Sequence, residues 1–175
     1  SAGGCKALET FNAYAPKCET LLMNKCASLR AVTEEMNTVR SKLPAVKTLK
    51  LDSCKVLTSS GFADILNMCG GSLVELSAEG CFSIERAFIS SPHLVRCALS
   101  GCPALQVARI SSANCREFVA RACKTLTEVR FESGTYDLGT FDVRNSGTLK
   151  RVVGVRRHRV RNLDVDGCGS SLEFI

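Results

Sequence analysis

Val46-Lys47-Thr48-Leu49-Lys50-Leu51-Asp52-Ser53-Cys54-Lys55-Val56-Leu57 sets the reading of this chain. Apolar residues fall at the first, fourth and sixth places, a cysteine at the ninth and a leucine at the twelfth. The central part alternates with period two, as a short strand with one buried face does. The cysteine then acts as a small buried hydrophobe at the turn that leaves the strand. Leu73 to Cys81, Leu94 to Cys102 and Val160 to Cys168 repeat the pattern, with Ala78 and Cys97 in leucine places. The closing phrase Cys-x-x-Leu recurs at Cys5, Cys18, Cys26, Cys54, Cys102 and Cys123, and in looser form at Cys69, Cys81, Cys115 and Cys168. Partial strand patterns start at Leu105, Leu126, Leu138 and Leu149. A unit this short cannot bury its own apolar side, so successive units must stack. The outcome is a solenoid with one long surface for a partner.

These motifs resemble the cysteine-containing leucine-rich repeat family, with cysteine where many such repeats carry asparagine. Its members include the substrate-reading arms of F-box proteins and arrays in protozoan proteins. The resemblance covers residues 46–175. Over residues 1–45 the cysteine phrase persists without the strand core, which reads as degenerate N-terminal repeats. The resemblance implies an α/β repeat solenoid: a curved parallel sheet with short helices or extended segments on the outer side. Strand patterns begin at 46, 73, 94, 105, 126, 138, 149, 160 and 172. A coil needs about 20–29 residues, so the short intervals are half coils. After Leu126 both sides of a coil should therefore be extended. Earlier coils have room for outer helices over Ser59 to Met68 and Asn114 to Ala122, with Asp64 and Glu117 near their starts. Cys69-Gly70-Gly71-Ser72 reads as the turn after the first of these.

Hydrophobic residues make up 45% of the 175, enough for a core. No apolar run is long enough to cross a membrane. The chain starts Ser1-Ala2-Gly3-Gly4 and stops in a strand pattern at Leu172-Glu173-Phe174-Ile175. The expectation is one continuous solenoid domain, part of a longer protein or assembly. Eleven cysteines is an odd number, and most fill one repeated slot. That placement favours reduced thiols and an intracellular setting, the cytoplasm first.

No Cys-x-x-Cys pair exists, and the only histidines are His93 and His158, so no metal site or cofactor is expected. His93 and Cys97 read as a turn residue and a core residue instead of a base and nucleophile. Phosphate-loop and nucleophile-elbow motifs are missing. The chain is read as non-enzymatic, with neither a small-molecule substrate nor a membrane contact.

Charge is the feature that points to a partner. Residues 138–163 hold seven Lys or Arg against one acid, so this segment carries the whole net charge of +6. Its basic residues Arg144, Lys150, Arg151, Arg156, Arg157, Arg159 and Arg161, with His158, form a candidate basic edge for an acidic protein segment or RNA phosphate. A second candidate surface is the outward side of the strands, the concave face in leucine-rich repeats. It holds Lys50, Glu75, Arg96, Arg109, Arg130, Asp142 and Asp164, with Arg96, Arg109 and Arg130 stacked as a basic ladder. The leading reading is a protein-binding scaffold. The alternatives are a structural subunit of a ribonucleoprotein or other large assembly and, by resemblance alone, the recognition arm of an F-box ubiquitin ligase.

Overall fold

The computed structural model describes residues 2–11, 13–32, 43–69, 71–132 and 138–175. Seven short strands lie side by side in one parallel sheet: β2 (Thr20–Leu22), β4 (Thr48–Lys50), β5 (Glu75–Ser77), β7 (Arg96–Ala98), β9 (Glu117–Val119), β11 (Thr140–Asp142) and β13 (Asn162–Asp164). Five more form a second parallel sheet: β6 (Arg86–Ser90), β8 (Val107–Ser111), β10 (Glu128–Phe131), β12 (Arg151–Val153) and β14 (Glu173–Phe174). β1 (Thr10–Phe11) and β3 (Ala31–Val32) pair separately. From β5 onward the chain alternates between the two large sheets. Register partners Glu75, Arg96, Glu117, Thr140 and Asn162 recur every 21 to 23 residues.

The repeat solenoid is thus present, and it is mostly β. One helix, α1 (Ser59–Met68), occurs among the described residues. It begins where the sequence signals: the Thr58 hydroxyl accepts from the Gly61 N–H at 3.2 Å. Phe62, Ile65 and Leu66 turn one apolar face inward. Gly71, at φ +80°, lies in the turn beyond it, while Gly70 lies outside the described residues. The helix packs between β3 and β6, in the row where later coils place a strand. A Cβ on Gly61 would collide with the Arg30 carbonyl, so glycine permits that approach. Coil length decides between helix and strand. The interval from Thr48 to Glu75 holds ten helical residues, whereas a coil of 21 to 23 leaves only a half coil for its second side.

Two expectations change. Asn114 to Ala122 is not a helix: Glu117–Val119 is β9, inside the seven-stranded sheet. Cys115, Phe118, Ala120 and Cys123 occupy the first, fourth, sixth and ninth places of the repeat, and all four are buried. Asp64 lies mid-helix, and the first turn of α1 holds no acid. The second strand row also starts earlier than Leu126, at Arg86. Finally, the same register reaches back to Cys18, Leu21, Met23, Cys26 and Leu29, the last three fully buried.

The two large sheets meet through their inner residues. Leu76, Cys97, Phe118 and Phe141 from one sheet share a core with Ile89, Ile110, Val129, Phe131 and Val152 from the other. Phe118 lies 5.7 Å from Phe131, edge-on, and 5.7 Å from Phe141, stacked. Offset and edge-to-face pairs of this kind add about 0.5–1.5 kcal/mol to area burial.

The cysteine slot runs through the stack as a ladder. The thiols of Cys26, Cys54, Cys81, Cys102, Cys123 and Cys168 donate to the carbonyls of Ala2, Met23, Leu51, Ala78, Leu99 and Val143 at 3.1–3.2 Å. Each acceptor belongs to the preceding coil. Ser146 fills the one step without cysteine, donating to Ala120 O at 3.0 Å and accepting from the Cys123 N–H at 3.1 Å. The residue before each rung has positive φ: Lys25, Ser53, Gly80, Gly101, Ala122, Asn145 and Gly167. Left-handed backbone at each rung turns the slot inward and aims its own N–H at the next coil. Gly101 N donates to Arg121 O, and Ala122 N to Arg144 O, both at 2.8 Å.

Burial pushes the slot thiols up, to about 11 for Cys54 and Cys123 and about 12 for Cys102. A protonated thiol therefore favours the folded state. That contribution is complete below the ordinary thiol value of 9.0 and is lost as pH rises through 11 to 12. Urea midpoints should fall steeply from pH 9 to 11, and less steeply in Cys123→Ala. Ser146→Ala removes a donor and an acceptor from a buried site, so urea unfolding should show a loss of about 1–3 kcal/mol.

Candidate binding surfaces

The outward residues of the seven-stranded sheet form two rows. Thr48, Glu75, Arg96, Glu117, Thr140 and Asn162 make one; Lys50, Ser77, Ala98, Val119, Asp142 and Asp164 make the other. Lys50, Glu75, Arg96, Asp142 and Asp164 therefore share this face. Arg109 and Arg130 do not: they are register partners on the five-stranded sheet. The expected ladder of Arg96, Arg109 and Arg130 is divided because the half-coil intervals assign their strands to opposite sides.

Most charges on these faces are already satisfied. Arg96 lies 3.3 Å from Glu117. Asp142, 4% exposed, receives Arg121 at 2.7 Å and Arg144 at 3.0 Å, and Arg144 also reaches Asp164 at 2.9 Å. Burial raises the Asp142 carboxyl, but the hydrogen bonds from Arg144 and Arg121 outweigh it, and its pKa lies below the ordinary carboxylate value. On the other sheet, Arg109 lies over the Phe88 ring at 5.1 Å and Arg130 bonds Glu128 at 3.1 Å.

The basic segment is split by the two-sided coil. Arg144 lies on the cysteine edge, where the chain leaves the seven-stranded sheet, and is held by two carboxylates. Lys150 and Arg151 lie at the start of β12 on the five-stranded side. Arg156, Arg157, His158, Arg159 and Arg161 lie on the opposite edge, around a single 3-10 turn (Arg157–Arg159) that leads from β12 to β13. All five are exposed. Arg157 lies 5.9 Å from the Phe174 ring centre. Among the described residues none of these arginines has a carboxylate within ion-pair distance.

That same edge carries a feature the sequence reading did not single out. Lys47, Val74, Val95 and Arg116 occupy the position just before successive strands of the seven-stranded sheet. They are joined by backbone bonds of 2.8 Å from Val74 N to Lys47 O, Val95 N to Val74 O and Arg116 N to Val95 O. With Pro44, Ala45, Ser72, His93 and Asn114 they line a groove of about 570 Å³. Val95 is 38% exposed. The signal was available: in Leu73-Val74-Glu75-Leu76 and Leu94-Val95-Arg96-Cys97, a valine fills an outward place that Lys47 and Arg116 fill elsewhere.

His93 and Cys97 remain apart in character. His93 is exposed in a turn, whereas Cys97 is fully buried on the inner face of β7 and its thiol is pushed well up by burial. A buried, protonated thiol is a poor nucleophile. No helix among the described residues is long and apolar enough to cross a membrane. No family model, curated protein or solved structure shows significant similarity to this chain.

Asp142 is the charge on which the seven-stranded face depends. Its lowered pKa contributes stability at neutral pH that is lost as pH falls through the carboxylate range. Asp142→Asn should cost about 1 kcal/mol in urea unfolding at pH 7, since the partly exposed arginines are screened. The difference between variant and parent should shrink as pH falls below the ordinary carboxylate value of 3.8.

Proposed function

We propose that this chain is a non-enzymatic binding module that docks protein partners along one edge of a repeat solenoid. The observation that carries this reading is the contrast between satisfied and unsatisfied charge. Arg96, Arg130 and Arg144 are tied to carboxylates on the sheet faces and cysteine edge. Arg156, Arg159 and Arg161 crowd together on the other edge without such partners among the described residues. Like charges held this closely repel, and no packing role requires them, because all three are exposed. A docked anionic partner would relieve that repulsion.

The seven-stranded face is the secondary docking surface, through Lys50, Glu75 and Arg96. The repeat phrase and the slot cysteine support kinship with cysteine-containing leucine-rich repeats, in a form where a second strand replaces most outer helices. Thiols that donate to carbonyls inside the core fit a reducing compartment, the cytoplasm first. RNA phosphate is the second reading for the basic turn, favoured by the same unpaired arginines.

Reversing Arg156, Arg157 and Arg159 to glutamate should leave the circular dichroism spectrum unchanged, because the turn is outside the core. Affinity capture of the full-length protein, with and without ribonuclease, should retain protein partners that the triple variant loses. Ribonuclease-sensitive capture would select the RNA reading. In that case log K against log salt should flatten by about two units in the variant, at about 0.7 per phosphate contact. Unchanged capture by the folded triple variant would refute the edge reading.

A further inference from the structure

We propose that the groove over Val74 and Val95 and the basic turn beyond it form one site for an extended acidic segment of a partner protein. Small apolar side chains of that segment would lie in the groove, and carboxylates would follow on the turn. The inference rests on reading the chain as a binding module and names the chemistry of its ligand.

The groove offers side chains and not a strand edge. Its row of backbone N–H and carbonyl groups is already used in coil-to-coil bonds, from Lys47 O through Val74 and Val95 to Arg116 N. Recognition by adding a strand to a sheet is therefore closed here, and an occupant must be read through its side chains. The floor is apolar at the half-buried Val74 and the 38% exposed Val95, with Pro44 and Ala45 at one end. Among the described residues no carboxylate lines the groove, while Lys47, Arg116 and the exposed His93 do. Lys47 holds Glu19 at 3.0 Å, but both side chains are more than half exposed, so an incoming carboxylate competes easily. The Asn114 amide donates to Pro92 O at 2.7 Å. Its Oδ1 accepts no bond among the described residues and is available to a peptide N–H.

The spacing fixes the kind of segment. Coils step along the edge by about 4.8 Å. Val95 to Arg161 is three steps, through Arg116 and Gly139, or about 14 Å. An extended chain advances about 3.3 Å per residue, so acidic residues should start about four positions beyond the apolar one. The whole path from Lys47 to Arg161 is five steps, about 24 Å, or about seven extended residues. The charge pattern fits: apolar floor first, then Arg161, Arg156 and Arg159 exposed together on the turn.

Selection of random dodecapeptides displayed on phage against the folded protein tests this. Enriched peptides should combine a small apolar residue with two or more Asp or Glu about four positions away. In fluorescence anisotropy, synthetic copies should lose at least tenfold in affinity on Val95→Asp, and on the pair Arg156→Glu and Arg159→Glu. The pair should also flatten the salt dependence. Val95→Ser should show a smaller loss in the same direction, and Phe88→Ala, on the five-stranded sheet, none. Absence of enrichment, enrichment of peptides without acids, or affinity unchanged in a folded Val95→Asp protein would overturn the proposal. So would an oligouridylate that binds the turn and displaces the peptides without responding to Val95→Asp. If cellular partners are captured by the parent and equally by Val95→Asp, the binding-module reading stands and this site falls. If the parent captures none, the reading beneath it falls first.

Discussion

At the end of six of the seven strands of the larger sheet, a backbone carbonyl points into the stack of coils and takes a hydrogen bond from the next coil. A strand cannot do this, because the chain turns there. The slot residue does it instead: Cys102 reaches Ala78 O, Cys123 reaches Leu99 O and Ser146 reaches Ala120 O, all at 3.0–3.2 Å. The slot demands a side chain small enough to fit, apolar enough to bury and able to donate one hydrogen bond. Cysteine meets all three conditions, and serine meets them where a second bond, from Cys123 N, satisfies its oxygen. At Met23, Ala78, Leu99 and Ala120, a carbonyl left without this donor would cost about 1–3 kcal/mol; Ala2, Leu51 and Val143 also accept a backbone N–H from their own turn. Register, left-handed turn residues and coil length all follow from keeping this donor in place.

Once the coils are stacked in register, the surface chemistry is largely determined. Residues one coil apart stand side by side, so opposite charges at matching positions neutralise each other, as Arg96 and Glu117 do. Asp142 joins its neighbours in the same way through Arg121 and Arg144. The edge between β12 and β13 escapes this pairing. Its longer turn holds four arginines with no carboxylate beside them among the described residues, and the valine-floored groove opens on the same edge. The faces are thereby largely neutralised, and one edge is left apolar and cationic among the described residues.

Much of this was legible in the sequence, for definite reasons. The period of the slot cysteine pointed to the solenoid, and the apolar triplet Phe62, Ile65 and Leu66 with the Gly-Gly pair after it pointed to α1, while the Thr58 cap was not singled out. The half-coil intervals after Leu126 gave the second row of strands. What escaped was the reach of that rule. Cys115 in a leucine place and Ala120 in another hid a full repeat, so Asn114 to Ala122 read as a helix. Ser146 hid a rung for the same reason. Stacking the strands that start at Leu94, Leu105 and Leu126 on one side joined Arg96 to Arg109 and Arg130, which lie on different sides. The groove was harder still to read, since it arises from the juxtaposition of Val74 and Val95 one coil apart.

The two-sided coil is the claim on which the positions of all candidate surfaces depend, and cross-linking measures it directly. In a background with the exposed Cys5 and the partly exposed Cys18 and Cys168 replaced by serine, cysteines at Arg109 and Arg130 should oxidise to a disulfide detectable by mass mapping, because these residues are register partners. Cysteines at Arg96 and Arg109 should stay reduced. Efficient cross-linking of Arg96 to Arg109, with none between Arg109 and Arg130, would contradict the two-sheet solenoid.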